Sequence, residues 1–453
     1  MLKILLERLA VISILSLVLL IFVQEFLNAQ FLFLETLVLI LVVFICIVRA
    51  RGSALYISLI TLVVGHVLLF KYEMGYTVWF EAITKNVPLG VLFVMVPVLI
   101  IPIKIGGYLE AFNYYISKYF TKSHSIFSIL SSFVFGLGSI TNLGALRITY
   151  SLIENIKLPK KFLAKVFGVG FSSCMCWSPY FASVNLVLYY TGVSFGDYFF
   201  FGFLYGILML LLGNLLFYFD LPLRNELKAT LKVSPLIEGN KKKMIQLIFN
   251  LVLLYVVVVL GEKITKFSSI MLLVSFIAAF YGAIWSVFLK KFHRFWLELK
   301  SYDQSILQVT NEFVFFICVG FFGVILAKAP VHYFIETAFR SISGLSPFLL
   351  VEFIIIITVL LSSIGFHHVI TITTFALSLK PAMLGLSDIA FTLTLVVAYT
   401  ISMIISPFVP ANMVIGGLIQ EKTFVIGLKW NRNFGFIVIV ISGIYIILVN
   451  RLF

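Results

Sequence analysis

The chain of 453 residues is 62% hydrophobic and only 11% charged, and its mean hydropathy is +1.13. Soluble globular proteins have an apolar fraction of about 45–50%, so this composition excludes a soluble globule and indicates a polytopic membrane protein. The net charge of +14 does not indicate nucleic-acid binding, because the lysines and arginines occur in short runs between apolar segments, as topology signals do.

Apolar windows of about 20 residues predict the first membrane spans near 9–27, 31–48, 54–70 and 88–103. Lys3 and Arg8 precede the first span, and Arg49 and Arg51 follow the second. Cytoplasmic loops carry an excess of such residues, so we expect a cytoplasmic N-terminus in a cell inner membrane. The aromatic, lysine-containing segment 104–124 then predicts an amphipathic helix at the membrane interface.

Residues 125–156 begin and end at basic segments, which predicts a re-entrant hairpin that turns through Gly136–Asn142. The next span, 164–190, is interrupted at Ser178-Pro179. Proline removes a backbone donor, and the freed carbonyls of a membrane helix need another partner. Span 197–219 closes a first repeat, 1–219, and the polar segment 220–245 is predicted to be a cytoplasmic linker.

The second part of the chain, 246–453, repeats this scheme with the opposite orientation. Its predicted elements are spans 246–262, 269–288 and 304–326, an interfacial helix at 328–345, a hairpin at 347–379 that turns near Gly365–Val369, a broken span at 389–418 and a last span at 433–449. The predicted fold is therefore an all-α polytopic membrane protein of two inverted-topology repeats, with about 11 transmembrane helices and two re-entrant hairpins.

Two short motifs occur in both repeats. Ser178-Pro179, with Asn185 after it, is matched by Ser406-Pro407 with Asn412 after it, and upstream Ser131-Ser132 to Gly136 is matched by Ser362-Ser363 to Gly365. Interrupted apolar segments at corresponding positions of two halves indicate the binding site of a secondary transporter.

Broken helices expose backbone carbonyls, which bind Na⁺, and backbone amides, which bind anionic groups. The candidate Na⁺ ligands at the hairpin tips and breaks are Ser139, Thr141, Asn142, Ser178, Ser183, Ser363 and Ser406. The candidate ligands of a small anionic solute are Asn142, Arg147, Asn185, His367, His368, Thr371 and Asn412. No cofactor is expected other than a coupling ion, Na⁺ or H⁺, and the expected partners are the solute and the lipid bilayer.

Several of these residues have alternative roles. Ser, Thr and Asn in membrane helices often bond to their own helix, Arg147 can pair with Glu154, and His367-His368 can cap a half-helix. Glu352 is the acid that lies well inside a predicted second-half segment, and a Na⁺/H⁺ antiporter that uses Glu352 or a histidine stays open. An integral-membrane glycan polymerase or ligase is the enzyme alternative, but it needs a large external loop, whereas 220–245 is predicted to be cytoplasmic and has no histidine.

This layout resembles the ion transporter superfamily, especially the divalent anion/sodium symporter fold, over essentially the whole chain. Those symporters carry Ser-Asn-Thr at each hairpin tip, where this chain has Ser139-Ile140-Thr141-Asn142 and His367-His368. The resemblance implies one Na⁺ half-site at the first tip with the Ser178–Asn185 break. It implies another at Ser363, Thr371 and the Ser406–Asn412 break, in a homodimer that moves one domain like an elevator.

Overall fold

A computed structural model describes residues 2–109, 111–112, 123–230 and 241–453 of the chain. The helices before residue 231 are α1 (Leu2–Leu27), α2 (Leu32–Arg49), α3 (Gly52–Lys71), α4 (Tyr76–Thr84), α5 (Val87–Met95), α6 (Ile100–Gly106), α7 (Ser123–Thr141), α8 (Gly144–Ile153), α9 (Lys160–Met175), α10 (Ala182–Thr191), α11 (Phe195–Phe219) and α12 (Leu221–Thr230).

The helices after residue 240 are α13 (Lys241–Ile264), α14 (Ile270–Phe288), α15 (Phe292–Lys300), α16 (Asp303–Gln308), α17 (Thr310–Lys328), α18 (Val331–Leu345), α19 (Pro347–Ser363), α20 (His368–Ser378), α21 (Asp388–Ile405), α22 (Pro410–Ile419) and α23 (Arg432–Asn450). Short 3₁₀ turns lie at Val96–Leu99 and Pro381–Leu384, and a π-helical turn lies at Val425–Trp430.

The predicted fold class is confirmed, because 11 helices in the described ranges are long and apolar enough to cross a membrane. Their composition differs from the prediction in one place. The predicted span 164–190 is not among them, since its break leaves α9 with 16 residues and α10 with 10, whereas α21 keeps 18 before the second break. The helix α7 takes its place in the count. Large apolar side chains such as Phe33, Phe70 and Phe288 lie on the outer faces, as expected for contact with lipid.

Other predicted bounds differ in detail. The span predicted at 88–103 is part of a longer helical segment, Tyr76–Gly106, and α15 was not predicted. The helix predicted at 328–345 forms as α18. Most of the helix predicted at 104–124, and residues 231–240 of the predicted linker, lie outside the described residues.

The chain divides into two compact units, and each takes segments from both halves of the sequence. The first unit comprises Met1–Pro102, Val258–Ala338 and Thr373–Leu379, and the second comprises Ile103–Val257, Phe339–Ile372 and Lys380–Phe453. The repeats at 1–219 and 246–453 are a different division of the chain, and they stay a prediction.

The first unit is held by closely packed helices with an apolar core. The ring of Phe321 in α17 lies against Gly65 in α3, and the ring of Phe313 lies against Gly90 in α5. Small residues let membrane helices approach closely, so these glycines bring α17 against both partners. Asn86 adds a buried hydrogen bond from its Nδ2 to the carbonyl of Phe316, at 2.9 Å.

The second unit contains the first predicted hairpin, both broken spans and the second predicted hairpin up to Ile372, whereas Thr373–Leu379 belong to the first unit. We call α7 with α8 the first hairpin and α19 with α20 the second hairpin. The arm α7 packs on α9, and the arm α19 packs on α21, so each hairpin lies against the broken helix that follows it in sequence. The second unit therefore brings together every segment that the repeated motifs marked.

Replacing Gly170 with alanine should destabilise the protein by about 1–3 kcal/mol, the usual cost of overpacking. A Cβ at Gly170 in α9 would lie 2.5 Å from the backbone carbonyl of Ser131 in α7, which cannot move independently of its helix. The matched control is Gly136→Ala in α7, where nothing lies within 4 Å of the added Cβ. Thermal melting in detergent measures both, and an equal effect of the two substitutions would contradict the close packing of α7 on α9.

Candidate functional site: two hairpin tips and two helix breaks

The first break comprises Cys176–Phe181, between α9 and α10, and it contains Pro179 as predicted. Its freed carbonyls find partners in the protein. Ser183 Oγ donates to the carbonyl of Met175 at 2.7 Å, and Asn185 Nδ2 donates to the carbonyl of Pro179. Both side chains come from the first turns of α10, so the second half of the broken helix closes the end of the first half.

Ser178 joins the first break to the first hairpin. Its Oγ donates to the carbonyl of Ser139, near the end of α7, and accepts a hydrogen bond of 3.2 Å from the backbone NH of Tyr180. Tyr255 of α13 donates to the same Ser139 carbonyl at 3.1 Å. One hydroxyl thus links two backbone groups on different elements.

The second break, Ser406–Val409 between α21 and α22, has the same arrangement. Ser406 Oγ donates to the carbonyl of Ser362 at 2.8 Å and accepts from the backbone NH of Phe408 at 3.2 Å. Asn412 Nδ2 donates to the carbonyls of Ile404 at 3.1 Å and Ser406 at 2.8 Å. The matched serines and asparagines of the sequence therefore have matched bonds.

The two hairpin tips match in backbone conformation and not in the positions of their glycines. Asn142 has φ of +52° and Gly365 has φ of +99°, and each lies three residues after the serine whose carbonyl binds the break. The turn predicted over Gly136–Asn142 lies at the end of that range, at Asn142 and Leu143, because α7 continues through Gly136 to Thr141. Asparagine tolerates this left-handed conformation, and that is why a turn forms without glycine.

Several predicted Na⁺ ligands bond within their own helix. Ser139 Oγ donates to the carbonyl of Gly136 at 2.7 Å, Thr141 Oγ1 to that of Leu137 at 2.9 Å, and Ser363 Oγ to that of Val359 at 2.7 Å. Ser139 takes part in the break contact through its carbonyl, and Ser362 does so in place of Ser363.

Two predicted solute ligands at the first tip have local or solvent-facing positions. Asn142 Oδ1 accepts from the backbone NH of Leu143 at 2.8 Å, which stabilises the turn. Arg147 is exposed on α8, and among the described residues it makes no ion pair with Glu154 or with any other acid.

The tip of the second hairpin contains both histidines. His367 caps α20, since its Nδ1 accepts from the backbone NH of Val369 at 3.3 Å. The ring of His368 stacks on that of His367 and meets the ring of Tyr399 edge-on, with both pairs of centroids 4.3 Å apart. His368 is 1% exposed, and neither of its ring nitrogens has a hydrogen-bond partner in the described part of the chain.

Further buried groups near the breaks are unpaired among the described residues, including Asn185 Oδ1 and Trp177 Nε1 at the first break and Thr371 Oγ1 on α20. A buried polar group without a partner costs about 1–3 kcal/mol, so such groups are rare and mark positions where water, an ion or a solute group binds. The unpaired atoms at the first break and at the second hairpin are thus the chemically open positions of the site.

Sequence reasoning missed the tyrosines that complete the first break. Tyr255 binds the Ser139 carbonyl, and Tyr198 OH donates to the carbonyl of Cys176. Both lie in apolar runs where a tyrosine also suits the membrane interface, so composition gives no signal for their roles.

No protein-family model matches the sequence, and no curated protein matches it. A solved structure does match: the YdaH transporter of Alcanivorax borkumensis, described as having an unusual topology. The TM-score is 0.55 at 15% sequence identity, over 87% of this chain and 98% of that one. At this identity the similarity shows a shared fold, that of a polytopic membrane protein.

Proposed function

We propose that the protein is a secondary active transporter that moves a small anionic solute across the inner membrane of a cell, coupled to a Na⁺ or H⁺ gradient by alternating access. The observation that carries the proposal is the pair of helix breaks, each bound through one serine to the carbonyl near a hairpin tip. Secondary transporters bind substrates and ions at such interrupted helices. The solved structure of the same fold is itself described as a transporter, which agrees with this proposal.

The breaks offer oxygen ligands for a coupling cation. Ser178, Ser183 and Ser406 each use their hydroxyl proton on a carbonyl. A hydroxyl oxygen has two lone pairs, and Ser178 and Ser406 each use one on a backbone NH, so the second is the position for a cation. Their rigid attachment to two elements keeps these oxygens in place. In this proposal the Na⁺ half-sites lie at the two breaks, and Ser139 and Ser362 contribute their backbone.

The same breaks offer donors for an anion. The helices α10 and α22 begin at the breaks, and helix N-termini carry partial positive charge and free NH groups. His368 and Thr371 add side-chain donors that have no described partner. The solute's anionic group is proposed to bind between these groups, with Asn185 and Asn412 at its edges.

Alternating access requires that the site face each side of the membrane in turn. Both breaks and both hairpin tips belong to the second unit, so movement of that unit would carry all four elements of the site. The resemblance to divalent anion/sodium symporters extends this proposal to an elevator-like motion within a homodimer with a cytoplasmic N-terminus.

Thermal melting of the purified full chain in Na⁺, Li⁺ and K⁺ chloride at fixed ionic strength tests the coupling ion. A bound ion at about 100 times its Kd stabilises a protein by about 2.7 kcal/mol, which should raise the Tm by a few degrees. We expect a rise in Na⁺ that is lost in Ser178→Ala and in Ser406→Ala. A screen of labelled anions in proteoliposomes with an imposed Na⁺ gradient then identifies the solute.

A melting temperature that follows pH and not the cation would assign the coupling to protons. Failure of every anion to accumulate under both Na⁺ and proton gradients would contradict the transport proposal itself.

The antiport alternative would use Glu352 or a histidine, and Glu352 Oε1 is buried against Gly443 of α23 without a described hydrogen-bond partner. Glu352 lies ten residues before Ser362 in α19, which is about 15 Å along a helix axis. A carboxylate that far from the break contact does not carry ion exchange at the breaks, so we place anion transport first. The described residues give no specific support to the glycan polymerase or ligase alternative.

A further inference from the structure

A separate cavity of about 380 Å³ lies in the second unit among α9, α11, the π-helical turn and the start of α23. Ligand pockets in proteins usually have volumes of about 300–1,000 Å³, so this one is large enough for a small headgroup. None of the serines and asparagines at the two breaks lines it. Its charged residues come from segment ends that sequence charge predicts to be cytoplasmic.

The cavity carries an excess of positive charge. Lys161, Lys165 and Lys429 line it, together with the acid Asp220. Lys165 Nζ lies 2.8 Å from Asp220 Oδ2. Among the described residues, Lys161 and Lys429 form no ion pair. Because one lysine neutralises the one acid, two positive charges remain for a ligand.

Both carboxylate oxygens of Asp220 accept hydrogen bonds from the protein. Its Oδ1 accepts from the backbone NH of Leu223 at 3.3 Å, and its Oδ2 accepts from Lys165. Burial raises the pKa of Asp220, but its bond to Lys165, the positive charge of that lysine, the NH of Leu223 and the more distant charge of Lys161 together outweigh burial, so the pKa lies below its usual range. Asp220 is therefore ionised at neutral pH, and its charge is balanced by Lys165 and does not repel an incoming anion.

Helix ends at the cavity add to the positive potential. The helices α9 and α23 begin at Lys160 and Arg432, beside the lining residues Lys161 and Asn433. Helix N-termini favour anions. The helix α11 presents its C-terminus here, but Arg224 Nη1 donates to the carbonyl of Tyr218 at 2.7 Å and offsets that negative end.

A buried side chain on the cavity wall also lacks a partner. Asn431 is 1% exposed, and its Nδ2 donates to the carbonyl of Ala164 at 3.3 Å. Its Oδ1 has no hydrogen-bond donor in the described part of the chain, although it lies in a residue that lines the cavity. This acceptor suits a hydroxyl or amino donor on a ligand.

The surroundings favour a lipid as the source of that ligand. Phe219 lines the cavity and is 67% exposed on the outer face of α11, where a membrane span ends. Trp430 also lines it, and tryptophan is enriched where membrane meets water. Basic pockets between transmembrane helices on the cytoplasmic side bind lipid phosphates.

We propose that this cavity binds the phosphate group of an anionic phospholipid, with Lys161 and Lys429 contacting the phosphate and Asn431 accepting from a headgroup hydroxyl. The bound lipid connects the ends of α9, α11 and α23. This site is separate from the breaks, so the proposal does not depend on transport. Soluble phosphate has the same charged group and is the competing source that the experiment separates.

Native mass spectrometry of the full chain in detergent, titrated with dioleoylphosphatidylglycerol, measures the binding. The variant is Lys161→Gln with Lys429→Gln, and the control is Lys157→Gln with Lys422→Gln, which removes two exposed lysines that do not line the cavity. Each lysine near an anionic surface contributes about 1 kcal/mol, so we expect about thirtyfold weaker binding in the variant and no comparable change in the control. Lys161→Arg with Lys429→Arg keeps both charges and should keep binding.

Other results of these measurements would contradict the proposal. Equal weakening in the control variant, or equal binding of dioleoylphosphatidylcholine, would overturn a specific anionic site. Displacement of phosphatidylglycerol by millimolar inorganic phosphate, with equal stabilisation of the protein, would assign the cavity to soluble phosphate and overturn the lipid. Melting curves show whether each variant is folded. If the glutamine variant is not folded, lipid binding by the arginine variant still tests whether positive charge at the two positions is sufficient.

Discussion

Ser406→Ala should reduce solute uptake by about tenfold or more, because Ser406 is the side chain that joins the second break to the second hairpin. Its hydroxyl is fully buried, donates to the carbonyl of Ser362 at 2.8 Å and accepts from the NH of Phe408 at 3.2 Å. The substitution leaves the NH of Phe408 without this partner, at about 1–3 kcal/mol for a buried group, whereas the carbonyl of Ser362 keeps its bond of 3.2 Å from the NH of Gly365. About 1.4 kcal/mol corresponds to a factor of ten, and initial uptake rates in proteoliposomes measure the loss.

Ser402→Ala is the matched control for this substitution. Ser402 is also fully buried, one turn earlier in α21, but its hydroxyl bonds only to the carbonyl of Ala398, at 2.8 Å, which belongs to the same helix. We expect near-normal uptake, since the helical hydrogen bond to that carbonyl remains. Equal losses in Ser402→Ala and Ser406→Ala would show that α21 is generally sensitive and that the break contact has no special role.

The repeat predicts the same contrast in the first half. Ser178→Ala removes the bond to Ser139, whereas Ser173→Ala removes only a bond of 2.7 Å to the carbonyl of Val169 within α9. If both breaks contribute to one transport cycle, uptake should fall in Ser178→Ala as in Ser406→Ala and stay near normal in Ser173→Ala as in Ser402→Ala.

The sequence predicts the helices of this fold well because apolar length and proline act locally. The breaks at Ser178-Pro179 and Ser406-Pro407 follow from the chemistry of proline alone, whatever the rest of the chain does. The prediction was less accurate for α4, where Glu81 and Lys85 interrupt the apolar run. Glu81 forms an ion pair of 2.6 Å with Lys328. The charge that lowers the hydropathy of this segment therefore takes part in the packing of the helix.

The site was harder to predict because its contacts use backbone carbonyls and distant residues. Ser362 and Ser363 are adjacent in sequence but point about 100° apart on a helix, and only the structure shows which of their carbonyls meets Ser406. Tyr255 reaches Ser139 from 116 residues away. A sequence motif identifies the side chains that are present. The direction in which a group points, and its contacts with residues distant in sequence, depend on how the helices pack.

His368→Phe should keep or raise stability and at the same time lower uptake at least about tenfold. Both ring nitrogens of His368 are buried without a described partner, a cost of about 1–3 kcal/mol that phenylalanine does not have. Phenylalanine also keeps the edge-on contact with Tyr399, where the centroids are 4.3 Å apart. The substitution removes the groups that are proposed to bind the solute, so stability and uptake should change in opposite directions, as measured by melting and by proteoliposome uptake.

The neighbouring histidine separates a binding role from a structural one. His367 caps α20 by accepting from the NH of Val369, and asparagine accepts in the same way, so His367→Asn should keep uptake and lose only the stability that comes from the ring stacked on His368. A lower melting temperature in His368→Phe would mean that the ring has a structural partner, and normal uptake would remove His368 from the site. A loss of uptake without a loss of stability is expected only where a residue is retained for binding at a cost to the fold. Substitution of a purely structural histidine would lower stability and uptake together.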